Sequence, residues 1–294
     1  MDQRDLTLLS LRGLSIGDAF GEMFFRVSTD LIQERKLPTA PWRWTDDTHM
    51  ALSIVDTLFE HGETDPDFLA QRFAARYKEE PWRGYAGGAA DLLASLLAGE
   101  SWRRAAPALF DGGSYGNGGA MRAAPIGAYF YADPERAAKE AQKSALVTHA
   151  HLEGQAGAMA VAIAAATFAS EGTAAGSDWL SSLLPLLPHS ITRARIRTAA
   201  GIAADQYATA RQKLGTGQQV AAFDTVPFCL WVAAHHAQDF ENALWTTVQG
   251  LGDRDTTCAI LGGIIGPHRP IPEIWLLQRE PLPEGYEWDG RTGR

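Results

Sequence analysis

Cysteine is scarce in this sequence, with only Cys229 and Cys258 among 294 residues. Their spacing matches neither a zinc site nor the disulfide framework of a small secreted protein. They are typical of two buried small side chains in a reducing compartment. The first residues, MDQRDLTLLSLRG, lack the apolar core of a signal peptide. We therefore expect a cytoplasmic protein.

Positive charge and long apolar runs are also scarce. The 26 Lys and Arg residues are outnumbered by 35 Asp and Glu residues, for a net charge of -9. This charge disfavours a general affinity for nucleic acid or an anionic membrane. The longest apolar stretch, 156–169, is too short and too alanine-rich to span a membrane. We expect no membrane partner, and any anionic ligand has to be held by local groups or by metal ions.

Strand-like alternation, sequence repeats and long linkers are missing, whereas helical periodicity is present. From Met50 the apolar residues recur as adjacent pairs four apart, and Gly62 ends this run. Asp65–Pro66 and Asp133–Pro134 open two more helices. Further helices are predicted at 152–172, 190–215, 223–237, 239–252 and 255–266. The sequence thus predicts one compact all-α domain over 1–294, with ten or more helices and an irregular tail from about residue 279.

Two groups of acidic and hydroxyl residues each precede an apolar helical run. Either group alone is equally well explained as a helix N-cap. Together they supply only oxygen ligands, which suit Mg²⁺, Mn²⁺ or Ca²⁺ better than zinc. Four carboxylates brought together would repel one another without cations. The first group is Thr45, Asp46 and Asp47, and the second is Asp253, Asp255 and Thr256.

A glycine-rich segment at 111–127 has five glycines between Gly112 and Gly119. Such a loop can turn several backbone N–H groups towards one anion, although an isolated loop of this kind is more often a structural turn. It lacks the Gly-Lys-Ser/Thr of a Walker loop. The segment also contains Ser114, Tyr115 and Asn117, and a tyrosine face can stack on a base or sugar.

Two histidines, His149 and His151, precede the helix predicted at 152–172. A histidine at a helix start can contact a phosphate. A lone histidine is more often a structural hydrogen-bonding residue, so the sequence leaves both roles open.

Several motifs occur in the order found in ADP-ribosylglycohydrolases: WTDDTHMA, GSYGNGGAMR, THAH, AAFDTVPF and GDRDTTCAILGGIIG. This is the group of the dinitrogenase-reductase-activating glycohydrolase and the ADP-ribosylserine hydrolases. The stretch RFAARYKEEPWRGY also resembles a helix of the serine-directed branch. The resemblance covers roughly 11–266. It implies a compact all-α fold, two Mg²⁺ or Mn²⁺ ions in a cleft, and hydrolysis of the bond between ADP-ribose and an acceptor.

Matched residue by residue, the resemblance implies a role for each of these groups. The two halves of the metal shell would be Thr45, Asp46 and Asp47, and Asp253, Asp255 and Thr256. The pyrophosphate would be held by Ser114, Gly116, Asn117 and His149. Tyr115 and Phe110 would stack near adenine. Either Asp46 or Asp253 would accept a proton during catalysis, and the sequence does not choose between them.

The sequence departs from the family pattern at two positions. Phe25 stands where the pattern Gly-Asp-x-x-Gly-x-x-x-Glu has a glutamate, which lies on a mobile flap in the serine-directed branch. Either Glu22, one helical turn earlier, replaces that catalytic carboxylate, or the site stays open. We favour the open site, which would admit bulky acceptors such as arginine. Arg254 replaces a small residue and could reach an acidic substrate or pair with a metal-site carboxylate.

We therefore expect a metal-dependent hydrolase that reverses mono-ADP-ribosylation, with arginine linkage favoured. The modified partner would be a protein, a nucleic acid or a small molecule. An alternative is an immunity or binding protein that occludes a cognate ADP-ribosyltransferase, with weak or no hydrolysis. A third possibility is a structural protein on the same fold, as some crystallins are. The intact oxygen set argues against it, because no structural role requires both halves.

Overall fold

The computed structural model describes residues 1–173, 176–288 and 290, and within these ranges the protein is helical without strands. Backbone pairing of the β type is limited there to two isolated bridges, between Trp42 and Arg279 and between Gly116 and Ala221. The predicted all-α class is confirmed.

The helices follow one another along the chain with short connections. The first nine are α1 (Gln3–Met23), α2 (Asp30–Gln33), α3 (Asp46–His61), α4 (Pro66–Glu79), α5 (Gly87–Leu97), α6 (Trp102–Ala108), α7 (Gly118–Met121), α8 (Ala124–Tyr129) and α9 (Pro134–Leu146). The rest are α10 (Leu152–Glu171), α11 (Gly176–Leu183), α12 (Ile191–Ala200), α13 (Tyr207–Leu214), α14 (Ala222–His236), α15 (Phe240–Val248), α16 (Arg254–Ile265) and α17 (Glu273–Gln278). A 3₁₀ turn at Leu184–Leu186 follows α11.

Most predicted helix boundaries agree with the structure, but the single helix predicted at 190–215 is wrong. The chain forms α12 and α13 instead, separated by residues 201–206. Gly201 follows the last residue of α12, and glycine favours a helix end because of its backbone freedom. The Gln206 side chain then accepts a hydrogen bond from the Ala203 amide at 3.1 Å, which stabilises a turn rather than a continued helix.

Close packing of α1 against α16 brings the two ends of the chain together. Gly13, Gly17 and Gly21 lie four residues apart and form one stripe on α1. A Cβ atom at Gly17 would lie 2.0 Å from the Cys258 carbonyl oxygen, and one at Gly21 would lie 2.2 Å from the Arg254 carbonyl oxygen. Only glycine permits this contact between backbones. It places the end of α1 beside the start of α16.

The central helix α10 is long and apolar enough to cross a membrane on those two criteria alone, which differs from the expectation for 156–169. However, 89% of its most apolar window is buried inside the fold. It packs against α8, α9 and α14. Alanine and glycine allow these close approaches, so its environment is that of a core helix.

In the described residues the tail is irregular beyond Gln278, and it is tied to the helices. The Glu280 amide donates to the Trp42 carbonyl at 2.8 Å, and the Tyr286 hydroxyl bonds to Asp56. The prediction for 289 and 291–294 lies outside the described residues. Because α1 and α16 pack on each other, we retain a single domain over 1–294 as a proposal.

Candidate active site

A cavity of about 490 Å³ lies between the starts of α3 and α16 and the glycine-rich segment. It brings together most of the residues that the sequence singled out. These are Asp46, Asp47, Phe110, Ser114, Tyr115, Gly116, Asn117, His149, Asp253, Asp255 and Thr256. Thr45 and Glu22 line a second cavity of about 810 Å³, which shares Gly84 and Asp255 with the first.

The first acidic group is held by a carboxylate that the sequence analysis missed. Thr45 caps α3, and its hydroxyl accepts from the Asp47 amide at 3.3 Å. The Asp18 carboxylate, fully buried on α1, accepts from the amides of Thr45 (2.9 Å) and Thr48 (3.1 Å). It also accepts from both threonine hydroxyls. Asp18 therefore fixes the start of α3 against α1.

The second acidic group is held by residues from distant loops. Asp253 caps α16 without a side-chain cap bond of its own. Its Oδ2 accepts from Asn117 Nδ2 at 2.7 Å, and the same amide donates to Thr225 Oγ1 at 3.0 Å. Asp255 Oδ1 accepts from the Thr256 amide at 2.8 Å. The orientation of Asp253 thus depends on the glycine-rich segment.

The two groups share one electrostatic environment. Burial, together with the neighbouring Asp18 and Asp253, raises the pKa of Asp46 to about 7. Burial also raises the pKa of Asp47, with Asp255 as the next cause, and that of Asp255, with Asp253 as the next cause. Each of these carboxylates therefore makes ionisation of the others less favourable.

The side chains fit hard divalent cations. Asp47 Oδ1 is buried and has no hydrogen-bond partner, as expected of an oxygen that binds an ion. In the described residues no three His, Cys, Asp or Glu side chains already surround one point as a metal cage. A cation would relieve the mutual repulsion of these carboxylates. The cavity thus offers oxygen donors of the type that Mg²⁺ and Mn²⁺ prefer.

The glycine-rich segment uses several of its amides internally, so it is not a continuous anion cradle. The Gly113 amide donates to the Leu109 carbonyl at 2.8 Å, and the Asn117 amide donates to the Val220 carbonyl at 3.1 Å. The Gly116 amide donates to Ser114 Oγ at 3.1 Å. These bonds fix the loop shape and leave fewer amides for a ligand.

The two histidines have different positions. His149 is buried beside the cavity, and burial, with Arg122 as the next cause, lowers its pKa to about 3. It is therefore neutral at physiological pH. His151 caps α10 instead, since its Nδ1 accepts from the Glu153 amide at 3.1 Å. His149 is therefore placed to contact a ligand in the cavity, whereas His151 caps a helix.

The two aromatic residues border the cavity and remain accessible. Tyr115 is 49% exposed and Phe110 is 67% exposed. The Tyr115 ring lies nearly parallel to the Phe223 ring, with 6.1 Å between the centroids. The Tyr115 and Phe110 rings are therefore available to a planar group of a ligand.

The two departures from the family pattern contact each other. Helix α1 ends at Met23, so Phe25 lies just beyond it. The Arg254 guanidinium lies over the Phe25 ring, 4.7 Å from its centroid. Arg254 makes no ion pair with a carboxylate anywhere in the described chain. Of the two roles considered for Arg254, pairing with a metal-site carboxylate is therefore not observed.

Comparison with known proteins identifies the family. The family model described as ADP-ribosylglycohydrolase matches residues 1–288. The chain is 30% identical to human ADP-ribosylhydrolase ARH3 over 282 residues, covering 83% of this chain and 75% of that protein. It is 29% identical to the Xenopus tropicalis ADP-ribosylhydrolase ARH3, covering 95% of this chain and 92% of that protein.

Two further similarities extend over most of the chain. An uncharacterized Archaeoglobus fulgidus protein is 29% identical over 280 residues, covering 90% of this chain and 88% of that protein. A solved structure of an ADP-ribosylglycohydrolase-related protein complex has a TM-score of 0.68 at 23% identity, covering 95% of this chain and 93% of that one. This structural likeness supports the fold. The chain belongs to the ADP-ribosylglycohydrolase family and is a hydrolase of ADP-ribose glycosidic linkages.

Proposed function

We propose that this hydrolase depends on divalent metal ions and removes single ADP-ribosyl groups, with arginine-linked groups preferred. The observation that carries the metal dependence is the buried Asp47 Oδ1, which has no hydrogen-bond partner. Neighbouring carboxylates also raise the pKa of Asp47. We further propose a cytoplasmic location, which the free buried cysteines Cys229 and Cys258 suit.

Two Mg²⁺ or Mn²⁺ ions would be held by the two acidic groups. The proposed ligands are Thr45, Asp46, Asp47, Asp253, Asp255 and Thr256. Bound there, the ions would supply Lewis acidity and a more acidic water beside the anomeric carbon. Asp18 contributes indirectly, because its bonds hold the Thr45 amide and hydroxyl in place.

The 490 Å³ cavity is the proposed site of the ADP-ribosyl group. Ser114, Gly116 and His149 are the proposed contacts of the pyrophosphate. Asn117 borders the cavity but has no free donor, because its side-chain amide donates to Asp253 and Thr225 and its backbone amide to Val220. Tyr115 and Phe110 are the proposed stacking partners of adenine, since both rings are accessible. With adenine held at one end of the cavity, the anomeric carbon faces the acidic groups at the other end.

Asp46 is the proposed proton acceptor, rather than Asp253. Asp253 Oδ2 is already held by Asn117 Nδ2. The Asp46 carboxylate is half-buried, and no other side chain in the described residues donates a hydrogen bond to it. It is therefore free to take a proton as oxocarbenium character develops at the anomeric carbon.

The second cavity is the proposed site of the acceptor. It has about 810 Å³, adjoins the carboxylates through Asp255 and contains Trp82, whose side chain is 69% exposed. An exposed indole can stack on a planar guanidinium. Phe25 supplies no carboxylate that could close this side. These features support arginine as the preferred acceptor.

A substrate panel tests the proposal. The protein is incubated with arginine-, serine-, acidic- and nucleic-acid-linked ADP-ribose, with Mg²⁺, Mn²⁺ or excess EDTA, and free ADP-ribose is measured. We expect release with either metal, none in EDTA, and the fastest release from arginine. Equal or faster release from the serine-linked substrate would refute the acceptor assignment, and activity in EDTA would refute the metal dependence.

Gly116→Val tests the placement of the pyrophosphate. A Cβ atom at Gly116 would lie 3.1 Å from Ser114 Oγ and 3.3 Å from His149 Nε2. A valine side chain would therefore crowd both proposed contacts. We expect ADP-ribose affinity, measured by calorimetry, to fall by about tenfold or more. The melting temperature should change little, and unchanged affinity would contradict the placement.

The alternative of an immunity protein that occludes an ADP-ribosyltransferase gains no support from the comparisons, and we do not propose it.

A further inference from the structure

We propose that Arg122 and Thr148 are positioning residues that hold His149 as the tautomer protonated on Nε2. The neutral ring then presents a hydrogen-bond donor to the cavity. The role of this donor in binding a pyrophosphate rests on the function proposed above. The assignment of the tautomer does not depend on that function.

Arg122 belongs to the glycine-rich segment and is fully buried against the end of α9. Its Nη1 donates to the Gly118 carbonyl at 2.9 Å, and its Nη2 donates to the Ser144 carbonyl at 3.0 Å. Nη2 also donates to Thr148 Oγ1 at 2.8 Å. The guanidinium carbon lies 4.5 Å from the centroid of the Phe73 ring. These contacts leave Arg122 little freedom to move.

The direction of the next bond follows from which atoms can donate. An arginine side chain only donates, so Thr148 Oγ1 acts as its acceptor. Thr148 Oγ1 lies 2.7 Å from His149 Nδ1 and has no other acceptor for its proton in the described residues. The Thr148 hydroxyl therefore donates to Nδ1. An Nδ1 that accepts carries no proton, so the proton of the neutral ring is on Nε2.

This tautomer has a consequence for ligand binding. His149 Nε2 lies at the glycine-rich segment, 3.0 Å from where a Cβ atom at Gly118 would be. It makes no hydrogen bond within the described chain, so its proton is available to a ligand. An Nε2–H group attracts an anionic oxygen, whereas the lone pair of the other tautomer would repel it. The neutral ring binds the anion without adding a charge beside the carboxylates.

The tautomer can be read directly in the full-length protein. Nitrogen-15 NMR distinguishes protonated from unprotonated ring nitrogens, and His149→Gln identifies the His149 signals among those of the eight histidines. We expect Nε2–H in the wild type and in Thr148→Ser, which keeps the hydroxyl. Thr148→Val removes it and should give a mixture of tautomers. Nδ1–H in the wild type, or unaltered Nε2–H in Thr148→Val, would overturn the proposal.

Calorimetry with ADP-ribose separates this proposal from the proposed function. Loss of the positioned donor should weaken ADP-ribose binding by about tenfold in Thr148→Val. Thr198→Val is the matched control, because Thr198 is exposed on α12, and it should bind as the wild type does. Normal affinity in Thr148→Val despite mixed tautomers would overturn the role in binding. A wild type with the expected tautomer but no ADP-ribose binding would instead overturn the proposed function.

Discussion

The acidic groups at the starts of α3 and α16 differ in how they are held. Thr45 and Thr48 bond to one buried carboxylate, Asp18, which lies only 27 and 30 residues away along the chain. Asp253 has no cap bond and depends on Asn117, 136 residues away. The Asp253 amide also donates to the Thr216 carbonyl at 3.0 Å.

The difference indicates how the site is assembled. The α3 group is fixed by contact with α1, within the packed core. The start of α16 also packs on α1, but the Asp253 side chain and amide are held through two loops, each of which borders the ligand cavity or supports a residue that does. Ligand binding and the orientation of Asp253 are therefore coupled, whereas the α3 group is a rigid platform. A substitution that affects only the α3 group should therefore lower stability, and one that affects only the α16 group should mainly lower activity.

The largest expected effect is on activity and comes from Asp255→Ala. If Asp255 binds metal, its loss should lower hydrolysis by more than about 100-fold, since even indirect contacts to metals are worth up to that factor. The metal-free protein should become no less stable, because a carboxylate with a raised pKa is removed. Free ADP-ribose and thermal unfolding with and without Mg²⁺ report both effects.

Asp205→Ala is the matched control for this variant, because Asp205 is exposed and lines neither cavity. Full activity in Asp255→Ala would rule out the proposed ligand role.

The next effect is on stability and breaks the α3 group. Asp18→Ala leaves the amides of Thr45 and Thr48 buried without an acceptor. We expect a loss of about 3 kcal/mol in the free energy of unfolding, measured with denaturant. Asp18→Asn keeps an oxygen for the amides and should lose much less. Equal losses in the two variants would mean that the charge, rather than the hydrogen bonds, holds the start of α3.

A smaller effect is expected when the α16 group is loosened. Asn117→Ala removes the bond to Asp253 Oδ2 and leaves Asp18 untouched. Activity should fall about tenfold, as for other residues that orient metal ligands. The free energy of unfolding should change by less than in Asp18→Ala. Asn242→Ala on α15 serves as the control, and a stability loss as large as that of Asp18→Ala would contradict the distinction between the groups.

The smallest effect is expected outside both groups, at Glu22. Its carboxylate pairs with Arg26 at 2.7 Å on the rim of the second cavity. Arg26 is 76% exposed, and such pairs contribute little. Glu22→Gln should therefore change the turnover rate by less than about twofold. Glu284→Gln is an exposed control, and a strong loss in Glu22→Gln alone would show that Glu22 replaces the missing carboxylate at Phe25.

Helix positions were predictable wherever capping and periodicity agreed. Gly62 follows α3 with a positive φ of 71°, and Asp65 caps α4 through the Asp67 and Phe68 amides. The break between α12 and α13 was missed because polar helical residues continue on both sides of Gly201. The signal for the packing of α1 on α16 was present in the spacing of Gly13, Gly17 and Gly21, but its partner helix lies more than 200 residues away.

The sequence by itself determined the helical class, the family and which residue types are available at the site. These depend on local periodicity, on caps and on the order of short motifs. Only the tertiary structure decided that Asp18 supports the start of α3, that Asn117 orients Asp253, and that Arg254 stacks on Phe25 instead of pairing with a carboxylate. Hydrogen-bond partners and burial depend on contacts between distant segments, and local sequence patterns do not specify which segments meet.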